Sequence, residues 1–133
     1  MAKLSSKSLA QLATCHPDLQ RLIHEAVLQF PLVVLEGKRS LERQTQLVAD
    51  GKSKTLASLH LTDPARAVDL APYFDTEPHI RWDDREMFHM MGGYLLGIAS
   101  KLGIHARWGG DWQQAFSNRP VKRFDDLPHL ELI

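Results

Sequence analysis

The sequence predicts an α+β domain in which helices flank a small, mainly antiparallel sheet. Two observations support this class. Helical patterns come first along the chain, and short apolar strands then interleave with one long helical pattern. The segments between these strands differ too much in length for the regular crossovers of a parallel sheet. A chain of 133 residues has the size of one domain with its own core, so residues 1–133 are expected to form a single domain.

Four helices are predicted from apolar residues that recur at three- and four-residue spacing. The first ends near residue 13, and the second begins at Pro17 and runs to about residue 29. Ser40 can cap a third helix from Leu41 to about residue 49, whose one face carries Leu41, Thr45 and Val48.

The fourth predicted helix is the longest. Asp83 and Glu86 form a capping-box-like start, and the helix ends near Leu102, before Gly103. The pair Gly92-Gly93 inside it costs roughly 1 kcal/mol per glycine relative to alanine. We therefore expect these glycines to permit close packing against a neighbouring element.

Four strands are predicted from short apolar or alternating segments that turn residues bound. They cover residues 31–36, 66–71, 104–108 and 128–132. The polar stretch 52–65, which ends in Asp63-Pro64, is predicted to be a loop. His60 then lies on a loop or strand edge, and Asp69 lies inside a strand.

The composition excludes several classes of protein. The 16 basic and 16 acidic side chains cancel, so no nucleic-acid partner is expected. No segment approaches the roughly 18 apolar residues of a membrane span, and the first residues lack a signal-peptide core, so no membrane anchor is expected. Cys15 is the only cysteine, which excludes an internal disulfide and cysteine-rich zinc sites and indicates a reducing cytoplasm.

Two distant segments carry the residue types of a hydrolytic metal site. Alternation along the strand places Asp69 on the face opposite its apolar neighbours. In the last strand His129 and Glu131 share one face, and the leucines beside them point to the core. Both strands thus present ligand-type groups on the face away from the core.

A catalytic zinc takes three protein ligands and keeps one position open, and imidazole and carboxylate groups suit it. His60, Asp69 and His129 would supply these ligands. The water activated at such a site still needs a general base that is not itself a ligand. Asp126, three residues before His129, and Glu131, two residues after it, are both candidates.

The order and spacing of these segments resemble the phage L-alanyl-D-glutamate peptidase endolysins, which belong with the D-Ala-D-Ala carboxypeptidases and dipeptidases in one zinc metallopeptidase family. The resemblance covers about residues 4–132. Its motifs are Glu36-Gly-Lys-Arg-Ser40, Glu42-Arg-Gln44, Ser58-Leu-His60, Ala67-Val-Asp69-Leu70, Trp108-Gly-Gly-Asp-Trp112 and Pro128-His-Leu-Glu131-Leu132. It implies a hedgehog/DD-peptidase-like fold and one zinc peptidase catalytic domain over residues 1–133.

The resemblance implies a role for each polar residue of the two distant segments. His60, Asp69 and His129 would bind zinc. Asp126 would be the general base, because the family places its catalytic acid three residues before the last ligand histidine. Glu131 would then orient a ligand or a neighbouring group.

Four further residues are assigned by the resemblance, each with an alternative. Arg39 matches the family arginine over the substrate carbonyl, where it could stabilise an oxyanion, or it forms a surface salt bridge. Ser58 would contact either the substrate or the backbone of its loop. Trp108 and Trp112 flank the turn at Gly109-Gly110, and they would either line the peptide groove or pack this glycine turn against the core.

This chain departs from the family pattern between the first two ligands. The segment from His60 to Asp69 is two residues longer than usual, and Ala65 stands where glycine is expected. A loop can absorb the extra length, because doubling a loop costs only about 0.6 kcal/mol. Asp63 becomes either a rival ligand or a turn former.

The resemblance implies zinc-dependent hydrolysis of the peptidoglycan stem peptide, at the bond between L-Ala and D-Glu. The enzyme would be a monomeric, bacteriolytic endolysin that accumulates in the host cytoplasm and reaches the cell wall on lysis. Three alternatives stay open: a D-Ala-D-Ala carboxypeptidase, a non-catalytic zinc-binding module of the same fold, and a binding protein without metal.

Overall fold

The computed structural model describes residues 3–53, 55–112, 114 and 125–133, so Lys54 of the predicted loop lies outside the described residues. A short 3-10 helix precedes the second strand. In chain order the elements are α1 (Ser6–Leu12), α2 (Pro17–Ala26), β1 (Leu32–Glu36), α3 (Leu41–Ala49), the 3-10 helix (Leu59–Leu61), β2 (Ala67–Pro72), α4 (Arg85–Leu102), β3 (Ala106–Trp108) and β4 (His129–Leu132).

The strands form one sheet in the order β1-β2-β4-β3, and every neighbouring pair is antiparallel. The strand that comes last in the described chain therefore lies inside the sheet, between β2 and β3. The predicted α+β class with a small antiparallel sheet is confirmed.

Three of the helices, α1, α2 and α4, pack against the sheet or against one another. α1 packs on β1, α2 packs on α4, and α4 contacts both β2 and β3. The core between these layers is apolar, and its fully buried members include Leu19, Leu22, Ile23, Leu70, Met91, Leu95 and Leu130. Because side chains alternate along a strand, the polar residues next to Leu70 and Leu130 point to the other face, away from α4.

The boundaries of α2 and α4 differ slightly from the predicted ones. α2 ends at Ala26, before the predicted end near residue 29. The N-cap of α4 is Asp84 and not Asp83, because the Asp84 carboxylate accepts the backbone N–H of Met87 at 3.2 Å. The helix ends at Gly103 in the left-handed conformation, with φ 72°, as the sequence predicts. Within the described part of the chain, none of the helices has the length and apolar character that a membrane crossing needs.

Helix α3 is rotated relative to the predicted apolar face. Leu41 and Thr45 are exposed, whereas Gln44 is fully buried. The Gln44 side-chain amide donates to the hydroxyl of Ser53 at 2.8 Å and to the carbonyl of Thr55 at 2.6 Å. These bonds satisfy the amide inside the protein, so a polar residue can hold α3 to the segment that follows it.

The two adjacent glycines of α4 have different surroundings. A Cβ at Gly92 would overlap the indole ring of Trp108, whereas a Cβ at Gly93 would meet no atom within 4 Å among the described residues. The expected close packing is therefore found at Gly92 and not at Gly93.

This contrast predicts opposite effects of two neighbouring alanine substitutions. Gly92→Ala should destabilise the protein by about 1–3 kcal/mol, because the indole of Trp108 must move. Gly93→Ala should stabilise it by up to about 1 kcal/mol through helix propensity alone. Urea unfolding of both variants measures the difference, and equal effects would contradict the packing described for Gly92.

Candidate active site

Cross-strand pairing brings three polar residues into one row on the open face of the sheet. Glu36 of β1 pairs with Asp69 of β2, and Asp69 pairs with His129 of β4. Directly paired residues project to the same face, so the three side chains are neighbours.

The 3-10 helix adds His60 to this row. Nε2 of His60 lies 3.2 Å from Oδ1 of Asp69, and Nδ1 of His129 lies 3.4 Å from the same oxygen. One ligand-type atom from each of the three residues lies within 4.8 Å of the others. The structure thus brings together the three residues that the sequence predicts as metal ligands.

The orientation of His60 is set by backbone groups. The hydroxyl of Ser58 accepts the backbone N–H of His60 at 3.1 Å and so starts the 3-10 helix. The ring Nδ1 lies 2.7 Å from the carbonyl of Gly37. Because a carbonyl can only accept, Nδ1 carries the proton and Nε2 presents a lone pair to Asp69.

Gly37 itself is held by α1. Its backbone N–H donates to Oε1 of Gln11 at 3.1 Å, and the next N–H, of Lys38, donates to the hydroxyl of Thr14 at 2.8 Å. A Cβ at Gly37 would overlap Thr14, so only glycine fits this approach between α1 and the site.

The orientation of His129 is set by a side chain. Its Nε2 lies 2.8 Å from Oε1 of Glu131, two residues along the same strand. When Nε2 donates to the carboxylate, Nδ1 is left with its lone pair directed at Asp69. Glu131 is also bound by Nη2 of Arg107 at 2.6 Å.

The residues present fit a metal ion. The lone pairs of His60 and His129 and the Oδ1 atom of Asp69 converge on one buried spot, and acceptors that face each other without a donor are costly to bury. Among the described residues, neither Nε2 of His60 nor Oδ1 of Asp69 has a hydrogen-bond partner. A cation between them would satisfy all three groups, so this group can hold a metal ion.

The ionisation of Asp69 and His129 follows from the same contacts. Burial raises the pKa of Asp69, but the adjacent imidazoles of His129 and His60 outweigh burial and hold that pKa below its usual range. Burial lowers the pKa of His129, whereas Asp69 and Glu131 together raise it to about 9. A cation bound beside Asp69 would displace the proton that this raised pKa favours on His129.

Asp126 lies beside the three ligand-type residues without belonging to their group. Its Oδ2 is 4.0 Å from Nδ1 of His129. Its backbone N–H donates to the carbonyl of Gly109 at 2.9 Å, and a Cβ at Gly109 would overlap the carbonyl of Asp126. Burial, and then the negative charge of Asp69, raise the pKa of Asp126 above its usual range.

Arg39 is fixed on the other side of Asp69. Its Nε donates to Oε1 of Glu36 at 3.0 Å, its Nη2 contacts the same oxygen, and its Nη1 donates to Oε1 of Gln44 at 2.7 Å. Nη2 also lies 3.4 Å from Oδ2 of Asp69. Only 10% of the Arg39 side chain is exposed, so the surface salt bridge considered for it does not describe its environment.

An open cleft lies over the three ligand-type residues. Residues of α3 and of the segment after it line one side of the cleft. Residues of β3 and β4, together with Trp112 and Asp126, line the other side. Besides Arg39 and Asp126, its walls include Arg43, Lys52, Ser58, Arg107 and Trp112.

Trp108 does not line this cleft. It is 4% exposed, and its Nε1 donates to the carbonyl of Leu127 at 2.7 Å. Trp108 pairs with Leu130, whose side chain is in the core, so alternation turns the neighbouring Arg107 to the cleft instead. The predicted contact of Trp108 with substrate does not suit this position. Trp112 lines the cleft, with its ring centroid 5.4 Å from that of His129.

The longer segment between His60 and Asp69 still allows their side chains to lie next to each other. The backbone of Ala65 bonds to Thr14 at 3.0 Å and to His16 at 2.8 Å, which ties the extra residues to the end of α1. Asp63 is not in the ligand group, because its side chain is 78% exposed and its nearest cation, Lys38, is 3.9 Å away.

Three residues of the site were not predicted to take part in it: Glu36, Gln44 and Arg107. Glu36 and Gln44 lie in motifs shared with the resembled family, and alternation around Trp108 indicates that Arg107 faces away from the core. The side chains that these residues contact depend on strand register and on the rotation of α3, which only the structure shows.

Comparison with known proteins identifies the same family that the sequence resembles. Residues 1–133 match the family described as phage L-alanyl-D-glutamate peptidase. The L-alanyl-D-glutamate peptidase of Escherichia phage T5 is 31% identical over 138 residues, which cover 98% of each chain. The crystal structure of the Serratia marcescens L-Ala D-Glu endopeptidase ChiX matches with a TM-score of 0.78 and 30% identity, over 99% of this chain and 91% of that one. The resemblance found in the sequence is confirmed, and the chain belongs to the phage L-alanyl-D-glutamate peptidase family.

Proposed function

We propose that this chain is a zinc peptidase that hydrolyses the bond between L-Ala and D-Glu in the peptidoglycan stem peptide, with residues 1–133 as its catalytic domain. The observation that carries the proposal is the convergence of two imidazole lone pairs on the half-buried Asp69 carboxylate, beneath an open cleft. The proposal also rests on the names of the family and of the two relatives.

The ligands of the zinc ion would be His60, Asp69 and His129. Two nitrogens and one carboxylate are a donor set that catalytic zinc commonly uses. Zinc, when bound, supplies Lewis-acid polarisation of the scissile carbonyl and lowers the pKa of the attacking water. Glu131 would keep His129 in the tautomer that presents Nδ1 to the metal, as its 2.8 Å contact with Nε2 supports.

Asp126 would move the protons of the reaction. Its raised pKa makes its carboxylate a better proton acceptor than an ordinary aspartate, and it lies next to the ligands without being one. It would take a proton from the attacking water and then give that proton to the leaving amine of D-Glu.

Arg39 would stabilise negative charge on the carbonyl oxygen under attack. Glu36 and Gln44 hold its guanidinium in place, so no reorganisation is needed as the charge develops. Among the described residues, Nη1 of Arg39 donates to Gln44, which would leave its second hydrogen for a substrate oxygen.

The cleft walls would orient the stem peptide. Arg43 and Lys52 are exposed cations on the α3 side, and a stem peptide that contains D-Glu carries a free carboxylate beside the scissile bond. Ser58 lines the same wall, although its hydroxyl also serves the backbone of the 3-10 helix. On the opposite wall Trp112, rather than Trp108, offers an aromatic surface to the peptide.

We also infer the oligomeric state of the enzyme and its location in the cell. The enzyme would act as a monomer, because every proposed ligand and catalytic group comes from one chain. It would accumulate in the host cytoplasm and reach the cell wall on lysis, an inference that rests on its phage relative.

Digestion of purified peptidoglycan followed by mass spectrometry of the products tests this function. We expect new amino termini at D-Glu and new carboxyl termini at L-Ala. Release of terminal D-Ala alone would instead identify a D-Ala-D-Ala carboxypeptidase. A protein that binds zinc and releases no product would be the non-catalytic module.

A further inference from the structure

The two imidazoles of the candidate metal site are oriented by different kinds of acceptor. His60 donates from Nδ1 to the backbone carbonyl of Gly37 at 2.7 Å, whereas His129 donates from Nε2 to the carboxylate of Glu131 at 2.8 Å. The fold fixes the position of a backbone carbonyl. A glutamate carboxylate, in contrast, lies at the end of a side chain with several rotatable bonds. Glu131 therefore needs a partner of its own if it is to hold His129 in place.

Arg107 is that partner. The β3–β4 register sets Arg107 directly opposite Glu131, so both side chains lie on the cleft face of the sheet. Nη2 of Arg107 donates to Oε2 of Glu131 at 2.6 Å, while Oε1 accepts from His129. Because the two oxygens serve different partners, the carboxylate cannot rotate without losing one of these bonds.

Trp112 completes a closed set of side-chain contacts. The guanidinium carbon of Arg107 lies 5.3 Å from the ring centroid of Trp112, within the range of a cation–π contact. The Trp112 ring in turn lies against the ring of His129. Contacts therefore run from His129 through Glu131, Arg107 and Trp112 back to His129.

We propose that Arg107 is a positioning residue for the metal site: by holding Glu131, it keeps Nδ1 of His129 directed at Asp69 and so raises the affinity for metal without ligating it. This inference rests on the proposed function, because it concerns the same site. Removing a partner that orients a ligand typically weakens metal binding by about 10–100-fold. Charge alone acts in the opposite direction, since loss of a nearby cation favours the binding of another cation.

The test is the zinc dissociation constant of Arg107→Met, measured by competition with a chromophoric chelator. We expect binding weaker by about 10–100-fold than in the wild type. The matched control is Arg43→Met, which removes the same charge from a cleft arginine that is 58% exposed and 3.9 Å from Glu36. Its zinc affinity should be unchanged or higher. Arg107→Lys keeps a charged donor and should recover part of the loss.

A second measurement asks whether Arg107 acts through Glu131. In a Glu131→Gln background, Arg107→Met should weaken zinc binding by no more than about twofold further, because residues that act as one unit are not additive. A full additional loss in that background would overturn the proposal. So would an Arg107→Met protein that binds zinc as tightly as the wild type.

Folding and the proposed function are checked in parallel. Circular dichroism follows the fold, and if Arg107→Met does not fold, Arg107→Gln replaces it with the same expected loss. A wild type that hydrolyses peptidoglycan and binds zinc, beside an Arg107 variant of unchanged affinity, defeats only the role of Arg107. A wild type that binds no zinc defeats that role together with the proposed metal site.

Discussion

Replacing Asp126 with alanine is expected to abolish peptidoglycan hydrolysis while the protein still binds zinc. Asp126 lies next to His129 but outside the group of three ligand-type residues. Burial and the charge of Asp69 raise its pKa, which suits a group that must accept a proton from water. Loss of a general base costs about 10²–10⁴-fold in rate. The release of soluble muropeptides and the zinc content of the purified protein measure the two properties.

The neighbouring carboxylate provides the control for this variant. Asp125 pairs with Arg85 at 2.6 Å and is not a lining residue of the cleft, so Asp125→Ala should keep both activity and zinc. Near-normal hydrolysis by Asp126→Ala would remove Asp126 from the mechanism. Loss of zinc in that variant would instead make Asp126 part of the metal site.

Replacing His60 with alanine is expected to remove both zinc binding and hydrolysis. The variant loses one of the three proposed ligands and leaves Oδ1 of Asp69 buried with one imidazole fewer. A chelator should inactivate the wild type in the same way, and added zinc should restore the wild type but not the variant. His24→Ala, which changes an exposed histidine of α2, should behave as the wild type does. Activity in the His60 variant, or in chelated wild type, would exclude the proposed metal site.

The residues along each strand could be predicted well, because alternation is a local property. It placed Asp69 and Glu131 on the face away from the core, where the structure has both side chains beside His129. The helix ends were predicted where a cap carries its own signal, as at Gly103, and missed by one residue where two aspartates adjoin at the start of α4.

Contacts between strands could not be predicted in the same way, because register depends on the whole sheet. Arg107 and Trp108 are adjacent in sequence, yet one binds Glu131 in the cleft and the other lies in the core. Alternation places the two side chains on opposite faces of the sheet, but only the pairing of β3 with β4 sets Arg107 opposite Glu131.

The rotation of α3 was missed for a different reason. An apolar stripe is the usual guide to a buried helix face, and the stripe with Leu41 indicated the wrong one. Gln44 takes the buried position because Arg39, Ser53 and Thr55 satisfy its amide. Such a buried polar residue becomes recognisable only when its partners are known.

The contact between α1 and Gly37 changes how loss-of-function substitutions in this chain should be interpreted. Gln11 and Thr14 hold the Gly37–Lys38 backbone, and the carbonyl of Gly37 sets the tautomer of His60. In a random mutagenesis screen, Gln11, Thr14 and Gly37 would therefore appear beside the catalytic groups, although none of them lines the cleft. Inactivating substitutions would therefore fall both on residues that support the proposed metal site and on residues that would take part in its chemistry.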